Sequence, residues 1–161
     1  MNIRLLRNED RPRLRQFWIE HWGGEDMITR GTIYRPDQLE GFVIEDGEEW
    51  IGLLTFIVKN RELEVTSLDS LREGQGIGSA LIQKAIEEAR ARDCSRLFLI
   101  TTNDNLNALG FYQKRGFEIV DVYRGALNES RKLKPGIPLI GMNNIPLRDE
   151  IELEVKLKVS G

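Results

Sequence analysis

The feature that most constrains the fold is an abrupt change in the spacing of apolar residues at the glycine-rich turn 74–78. After the turn, apolar residues return every three to four positions, which predicts an amphipathic helix over about 76–92. Before the turn, short apolar or alternating segments predict strands over 41–45, 50–59 and 63–68. Tight turns separate these strands, so they are consecutive and antiparallel. The chain is therefore expected to fold as a mixed α/β protein in which a glycine turn leads from a sheet into a helix.

The rest of the chain adds elements on both sides of this unit. Period and capping residues predict helices and strands at the following positions: strand 2–7, helix 10–21, a helical turn at 36–39 within a loop, strand 96–101, helix 105–115, strand 117–125 and strand 151–159. The continuous apolar run at 96–101 predicts burial on both faces, and the alternation at 151–159 predicts one wet face that carries the charged residues. Residues 128–149 show no clear period. We expect one domain over 1–161 with a mixed, mostly antiparallel sheet of six to seven strands and about four helices.

Charge and cysteine content exclude several classes of protein. The chain has 23 Lys and Arg against 26 Asp and Glu, a net charge of -3, which argues against nucleic acid as a partner. A single cysteine, Cys94, and a single histidine, His21, cannot build the usual zinc site. No apolar stretch reaches the roughly 20 residues that cross a bilayer, and the N-terminal segment is charged. These observations predict a cytoplasmic protein with no metal and no membrane partner.

The glycine turn itself has the chemistry of an anion site. It consists of Gly74, Gln75, Gly76, Ile77, Gly78 and Ser79. Missing Cβ atoms let a backbone approach a ligand, and the first turn of a helix presents unpaired N–H groups and a positive dipole end. A phosphate group fits there, although an ordinary tight turn before a helix has a similar sequence. The segment is neither a P-loop nor a dinucleotide fingerprint, because no Gly-Lys-Ser/Thr follows and serine replaces the last glycine.

A second motif follows about thirty residues later. The two segments read E-G-Q-G-I-G-S-A-L and N-A-L-G-F-Y-Q-K-R-G-F, each at the start of or on a predicted helix. Together they resemble the GNAT superfamily of acyl-CoA-dependent N-acyltransferases, and the predicted order of elements resembles that fold over nearly the whole chain. The resemblance implies an N-acetyltransferase that uses acetyl-CoA. It places a cofactor-binding core at about 62–118 and acceptor-side elements at about 10–40 and 128–150.

The resemblance also implies roles for individual residues. Backbone amides from Gln75 to Ser79 would bind the pyrophosphate of coenzyme A, and Asn107 would bind its pantetheine arm from the second helix. The end of the third antiparallel strand would hydrogen-bond the same arm from the other side, through Leu68, Asp69 and Ser70. One position departs from the family: Glu73 stands where an arginine or glutamine is common. A carboxylate is unfavourable beside a pyrophosphate, so we expect Glu73 to point away and Arg72 to compensate.

Tyr112 is the candidate for the catalytic acid, because it falls where many family members carry a tyrosine close to the thioester sulfur. A phenol with a pKa of about 10 is protonated at neutral pH and can donate to a thiolate whose pKa is about 8.5. The alternative is a buried helix aromatic whose hydroxyl bonds locally. Backbone N–H groups near Leu68 would serve the developing oxyanion.

Two side chains are candidates for the catalytic base. Glu64 lies four residues before Leu68, and strict alternation puts Glu64, Thr66 and Leu68 on one face of the strand. His21 has the ordinary pKa best suited to the task and ends the first helix. The alternatives are a solvated outer-face glutamate and a helix-end histidine bonded to a carbonyl, with ordered water taking the proton.

These residues predict direct transfer of an acetyl group from acetyl-CoA to a primary amine, on a small molecule or a peptide. A non-catalytic acyl-CoA-binding sensor on the same fold is the alternative, and a plain interaction module is a second. Residues 132–150 either fold over the acceptor site or form a surface loop. An edge strand near the C-terminus allows a homodimer.

Overall fold

The computed structural model describes residues 2–24, 27–35 and 38–158. Within these ranges, nine strands and four α-helices follow one another in the order β1 (Asn2–Leu5), α1 (Arg11–Trp22), β2 (Met27–Thr29), β3 (Thr32–Tyr34), β4 (Glu40–Asp46), β5 (Glu49–Lys59), β6 (Glu62–Ser70), α2 (Ile77–Ala91), β7 (Arg96–Thr102), α3 (Leu106–Lys114), β8 (Glu118–Tyr123), α4 (Ala126–Leu133) and β9 (Glu150–Lys156). The helical turn predicted at 36–39 involves Pro36 and Asp37, which lie outside the described residues.

Seven of the strands form one sheet with the order β1-β4-β5-β6-β7-β9-β8, and β2 and β3 form a separate pair. The pairs β1–β4, β4–β5, β5–β6 and β8–β9 are antiparallel. The predicted fold class, a mixed and mostly antiparallel sheet with four helices, is confirmed. Strand β8 occupies one edge of the sheet.

Backbone contacts divide the chain into two units. Unit 1 contains Met1–Met27, Tyr34–Leu97 and Lys156–Gly161, and unit 2 contains Ile28–Ile33 and Phe98–Val155. Each is described here by itself. The single domain expected over 1–161 stays a prediction.

The core of unit 1 covers both faces of β5. On one face, Leu53 packs in a buried cluster with Leu14 and Trp18 of α1. On the other face, Gly52 lies so close to α2 that a Cβ atom there would come within 2.5 Å of the Ile77 side chain. Because neighbouring residues of a strand point to opposite faces, α1 and α2 pack on opposite sides of this sheet. The predicted strands and both helices are confirmed, with ends shifted by a few residues.

Three elements have no counterpart among the predictions from sequence. Strands β2 and β3 have three residues each and flank the Arg30–Gly31 turn, where both residues have positive φ. Strands this short are too brief to establish a period. Helix α4 is also short, and only Leu127 and Ser130 are buried along it. Eight residues with two leucines are too few to establish a helical period in the sequence.

Two burial predictions for strands are wrong. Only alternate residues of β7 are buried, Leu97 and Leu99, so the strand is not covered equally on both faces. The two glutamates predicted to be wet on β9, Glu152 and Glu154, are buried, and so is Glu150 at its start. The reason is position, because β9 lies inside the sheet between β7 and β8. Its carboxylates are bonded there: Glu152 accepts from the Tyr123 hydroxyl at 2.6 Å and Glu150 accepts from the Arg30 amide at 3.2 Å.

The connection 128–149 is held against the turn that follows β7. The Asp104 carboxylate accepts the Met142 amide at 2.8 Å, and Asn103 Oδ1 accepts the amides of Arg148 and Asp149 at 3.1 and 2.9 Å. Asp104 is buried. These bonds order a segment in which the sequence shows no period.

Gly141 fits this contact so tightly that a methyl group cannot be added without displacement. A Cβ atom at Gly141 would come within 2.1 Å of Asp104 Oδ2 and 2.8 Å of its Cγ. We expect Gly141→Ala to lower the free energy of unfolding by about 1–3 kcal/mol, measured by urea denaturation. Gly136→Ala is the control, because a Cβ atom there meets nothing within 4 Å. Equal stability of the two variants would contradict the expectation.

Candidate functional site

The glycine turn of unit 1 adopts the backbone that its sequence predicts. Gly74 and Gly76 both have left-handed φ values, 74° and 70°, and Gly76 caps α2. A Cβ atom at either position would meet nothing within 4 Å. The space beside the turn is therefore open. Helix geometry leaves the first amides of α2, at Ile77 and Gly78, without acceptors in their own helix. This arrangement suits an anionic ligand.

Arg72, just before the turn, is directed toward the β4–β5 hairpin. Its guanidinium pairs with Asp46 at 2.7 Å and Glu49 at 3.2 Å, and these hydrogen bonds and charges raise the pKa of Arg72. Glu73 is exposed. The carboxylates of the hairpin thus hold the arginine that was expected to offset the charge of Glu73, and an anion at the turn would compete with them for it.

A β-bulge interrupts β6 two residues before Leu68, where backbone N–H groups are expected to serve the oxyanion. Ser67 pairs with Thr55 and Val65 pairs with Phe56, so Thr66 is an extra residue on β6. The Thr55 hydroxyl is fully buried and lies 2.7 Å from the Thr66 hydroxyl. It also bonds the Ser67 hydroxyl. These three hydroxyl groups hold the bulge in place.

The bulge overturns the expectation that Glu64, Thr66 and Leu68 share one face. Glu64 pairs with Ile57, and Leu68 pairs with Leu54. Partners across a ladder share a face, and positions 54 and 57 of β5 point to opposite faces. Glu64 therefore lies on the α1 side of the sheet and Leu68 on the α2 side. The extra residue causes the switch, because it advances the alternation of β6 by one.

Glu64 is buried on the α1 side, with 8% of its surface exposed. Its carboxylate accepts a hydrogen bond from the Tyr34 hydroxyl at 2.9 Å. Burial, together with the charge of Glu64, raises the pKa of Tyr34, so the phenol stays protonated and continues to donate. The alternative of a solvated outer-face glutamate is wrong. Tyr34 is a site residue that the sequence analysis missed.

Asp69 brings a second carboxylate to the same side. It pairs with Leu53, a member of the core cluster against α1. Its Oδ2 atom accepts from Trp22 Nε1 at 3.2 Å. Burial raises the pKa of Asp69, while the Trp22 hydrogen bond and the nearby His21 partly oppose that increase. The structure thus brings Asp69 and His21 together at the end of α1.

This shift of the Asp69 pKa gives a test on stability. Because burial penalises the carboxylate of the folded state, Asp69 favours folding below its ordinary pKa of about 3.9 and loses that contribution as pH rises through the higher folded pKa. We expect Asp69→Asn, whose amide oxygen can still accept from Trp22, to be more stable than the wild type at pH 7. The difference should narrow as pH falls toward 4, measured by thermal unfolding across a pH series. Lower stability of the variant at pH 7 would contradict this account.

Unit 2 contains the other two predicted site residues, both on α3. The helix begins after Asn105, whose side chain accepts the Ala108 amide at 3.1 Å. Asn107 is exposed on the first turn, and its side-chain amide has no hydrogen bond within the ranges that the structure describes. Tyr112 is buried, with ring centroids 5.2 Å from Phe111 and 5.3 Å from Phe117. Asn107 is thus available to a ligand, and Tyr112 has a fixed ring.

The two units hold different sets of the predicted residues. Unit 1 holds the glycine turn, the bulged strand and the carboxylates of the α1 side, and unit 2 holds Asn107 and Tyr112. The sequence did not indicate that Tyr34 and Trp22 bond the carboxylates of this side. It showed only that they are aromatic residues with a polar group near a predicted acceptor region. Among the described residues, no helix is long and apolar enough to cross a membrane, and no group of three or more His, Cys, Asp or Glu could hold a metal ion.

Known proteins match both the sequence and the fold. An uncharacterized protein of Bacillus subtilis, YxbD, is 43% identical over 143 residues, which are 88% of this chain and 90% of that protein. An IAA acetyltransferase from Bacillus cereus has a TM-score of 0.76 at 25% identity, over 97% of this chain and 99% of that one. A GNAT family acetyltransferase from Elizabethkingia anophelis, solved with acetyl-CoA bound, has a TM-score of 0.66 at 22% identity, over 97% and 99% of the two chains.

The match to a family covers most of the chain, including the parts that carry the candidate site. The model of the acetyltransferase (GNAT) family matches residues 4–117, a range that includes the bulged strand, the glycine turn and α3. On this match and the agreement in fold, the chain belongs to the GNAT family of acetyltransferases.

Proposed function

We propose that this protein transfers an acetyl group from acetyl-CoA directly to a primary amine. The observation that carries the proposal is the open turn at Gly74 and Gly76, whose left-handed backbone leads into the first turn of α2. Two glycines in this conformation present amides rather than side chains to a ligand. The structure from Elizabethkingia anophelis, a protein of the same fold, contains acetyl-CoA, which supports the choice of acyl donor.

The cofactor would bind through backbone amides on one side and an amide side chain on the other. Amides from Gln75 to Ser79 would bind the pyrophosphate, as helix N-termini bind anions. The backbone of Leu68–Ser70 would bind the pantetheine arm as if it were a strand, and the exposed Asn107 side chain would complete that contact. Acetyl-CoA supplies the activated acetyl group.

The reaction forms a C–N bond and breaks a C–S bond. A neutral amine is needed as the nucleophile, a donor must stabilise the oxyanion, and the departing thiolate needs a proton. Backbone N–H groups near Leu68, just after the bulge, would donate to the oxyanion. Tyr112 would give its phenolic proton to the sulfur and would be reprotonated by solvent after the products leave.

The proton lost by the amine would go to the α1 side of the sheet. Three groups lie on that side, namely Glu64, Asp69 and His21. Glu64 accepts from Tyr34, which fixes its orientation. Asp69 has a pKa raised by burial, which makes it a stronger base than an ordinary aspartate. We therefore assign the role of the base to Asp69, with Glu64 and His21 as neighbouring groups on the same side.

Replacing Asp69 with asparagine removes this base. The variant Asp69→Asn should lose the acidic limb of the pH profile of kcat/KM.

A binding assay and a turnover assay together test the proposal. Acetyl-CoA and coenzyme A should each raise the melting temperature, since a ligand at a hundred times its Kd adds about 2.7 kcal/mol of stability. Thiol release should then be followed with a panel of small amines and peptide N-termini. Stabilisation without thiol release on any amine would favour an acyl-CoA-binding sensor. No stabilisation by either compound at millimolar concentration would exclude the enzyme and the sensor together.

A further inference from the structure

Unit 2 contains a cavity of about 300 Å³ lined by Arg124, Gly125 and Arg148. It lies where β8 ends and β9 begins, at the start of α4. The volume is at the lower end of the range for sites that hold small molecules. Two of its three lining residues are arginines, whose guanidinium groups are the side chains best suited to bind carboxylates and phosphates.

One acidic group, Asp149, is bonded to two of the residues that line this cavity. Asp149 accepts two hydrogen bonds from Arg148, at 2.8 and 3.0 Å, and a third from the Gly125 amide at 2.9 Å. These contacts, and more weakly the charge of Arg124, lower the pKa of Asp149. The carboxylate is thus ionised and occupied. It balances the charge of one arginine only.

Arg124 adds a second positive charge beside that of Arg148. Its side chain is exposed, and within the described part of the chain it makes no ion pair or hydrogen bond. Helix α4 begins beside it, after Gly125, and no side chain caps that end of the helix. The positive end of the helix dipole adds to the charge of Arg124, and the one carboxylate in the first turn of α4, Glu129, pairs with Lys132 at 3.0 Å.

The cavity lies outside the residues that carry the family's common features. The family model ends at residue 117, before all three lining residues. Parts of a fold that vary between family members are where substrate specificity resides. The cofactor is assigned to the glycine turn in unit 1 and to Asn107, so this cavity is not needed for the pyrophosphate.

We propose that this cavity binds an anionic group, a carboxylate or a phosphate, carried by the amine acceptor. The inference rests on the proposed acetyl transfer and specifies its acceptor: an amine with a negative charge elsewhere in the molecule. Guanidinium groups bind both kinds of anion through paired N–H donors. Arg124 supplies the free donors, and Arg148, oriented by Asp149, supplies the remaining ones.

Matched amines provide the test. An aminoalkanoic acid, its decarboxylated amine and the corresponding aminoalkyl phosphate are compared as acceptors with saturating acetyl-CoA, by thiol release. We expect kcat/KM to be higher for the two anionic amines by about tenfold or more. A preference for the carboxylate over the phosphate, or the reverse, identifies the group. Equal values for all three amines would overturn the inference while leaving acetyl transfer intact, and no thiol release with any amine would contradict the proposed function itself.

Variants connect the preference to the cavity. Arg124→Gln should raise KM for the anionic amine about tenfold and leave KM for the decarboxylated amine unchanged. Arg90→Gln is the matched control, because Arg90 is an exposed arginine in the last turn of α2 and its loss changes the net charge equally. If Arg124→Gln raised KM for acetyl-CoA instead, the anion in the cavity would belong to the cofactor and the proposal would be wrong. An equal effect of both variants on KM for the anionic amine would overturn the proposal, because the preference would then come from the net charge of the protein and not from the cavity.

Discussion

Replacing Tyr112 with phenylalanine should lower kcat by about 10² or more and leave the affinity for acetyl-CoA close to that of the wild type. The reason is that the thiolate leaves without a proton donor, whereas the buried ring and its packing against Phe111 and Phe117 are retained. Turnover at saturating amine and a separate titration with acetyl-CoA measure the two quantities. The pH dependence of kcat should also lose its alkaline limb.

Tyr123→Phe is the matched control for the loss of a phenolic hydroxyl. The Tyr123 hydroxyl donates to Glu152 at 2.6 Å, and Glu152 is buried. This variant should lose about 1–3 kcal/mol of stability, because a buried acceptor loses its donor, but it should retain most of kcat. If Tyr112→Phe had unchanged turnover, water would be the acid and Tyr112 would be a packing residue only.

Replacing Gly76 with valine should weaken the binding of coenzyme A by about tenfold or more. A β-branched residue disfavours the left-handed φ of 70°, so the amides of the turn lose their orientation. The added side chain also enters the open space beside the turn, where nothing lies within 4 Å of the Cβ position. A loss of two charge-assisted hydrogen bonds is consistent with this magnitude. Isothermal titration with coenzyme A measures the change.

Gly47→Val is the control for the effect of backbone strain alone. Gly47 has a φ of 63° in the β4–β5 hairpin, and a Cβ atom there also meets nothing within 4 Å. Both variants should lose about 1–3 kcal/mol of stability, which most domains tolerate. Only Gly76→Val should lose the cofactor. Retained affinity in Gly76→Val would place the pyrophosphate elsewhere on the protein.

The elements around the site could be predicted because their signals are local. Helix α2 has an apolar stripe along a helix of 15 residues, and Gly74 and Gly76 mark the positions where glycine most readily adopts the required φ. Strands β2 and β3 and helix α4 have no comparable signal, because each is short and stabilised by contacts distant in sequence. The glutamates of β9 were assigned to water for the same reason, since alternation reports two faces but not which neighbours cover them.

The order of the longer strands and helices, the glycine turn and the positions of Asn107 and Tyr112 follow from the amino-acid sequence alone, since period, capping and backbone freedom act over a few residues. Which side chains meet was decided by tertiary structure. The extra residue Thr66 exists only relative to the partner strand, and it moves Glu64 to the side of the sheet that also holds Asp69. Packing between distant segments also buries Asp69 and so raises its pKa. The same kind of packing brings Arg124 and Arg148, 24 positions apart in the sequence, to one cavity.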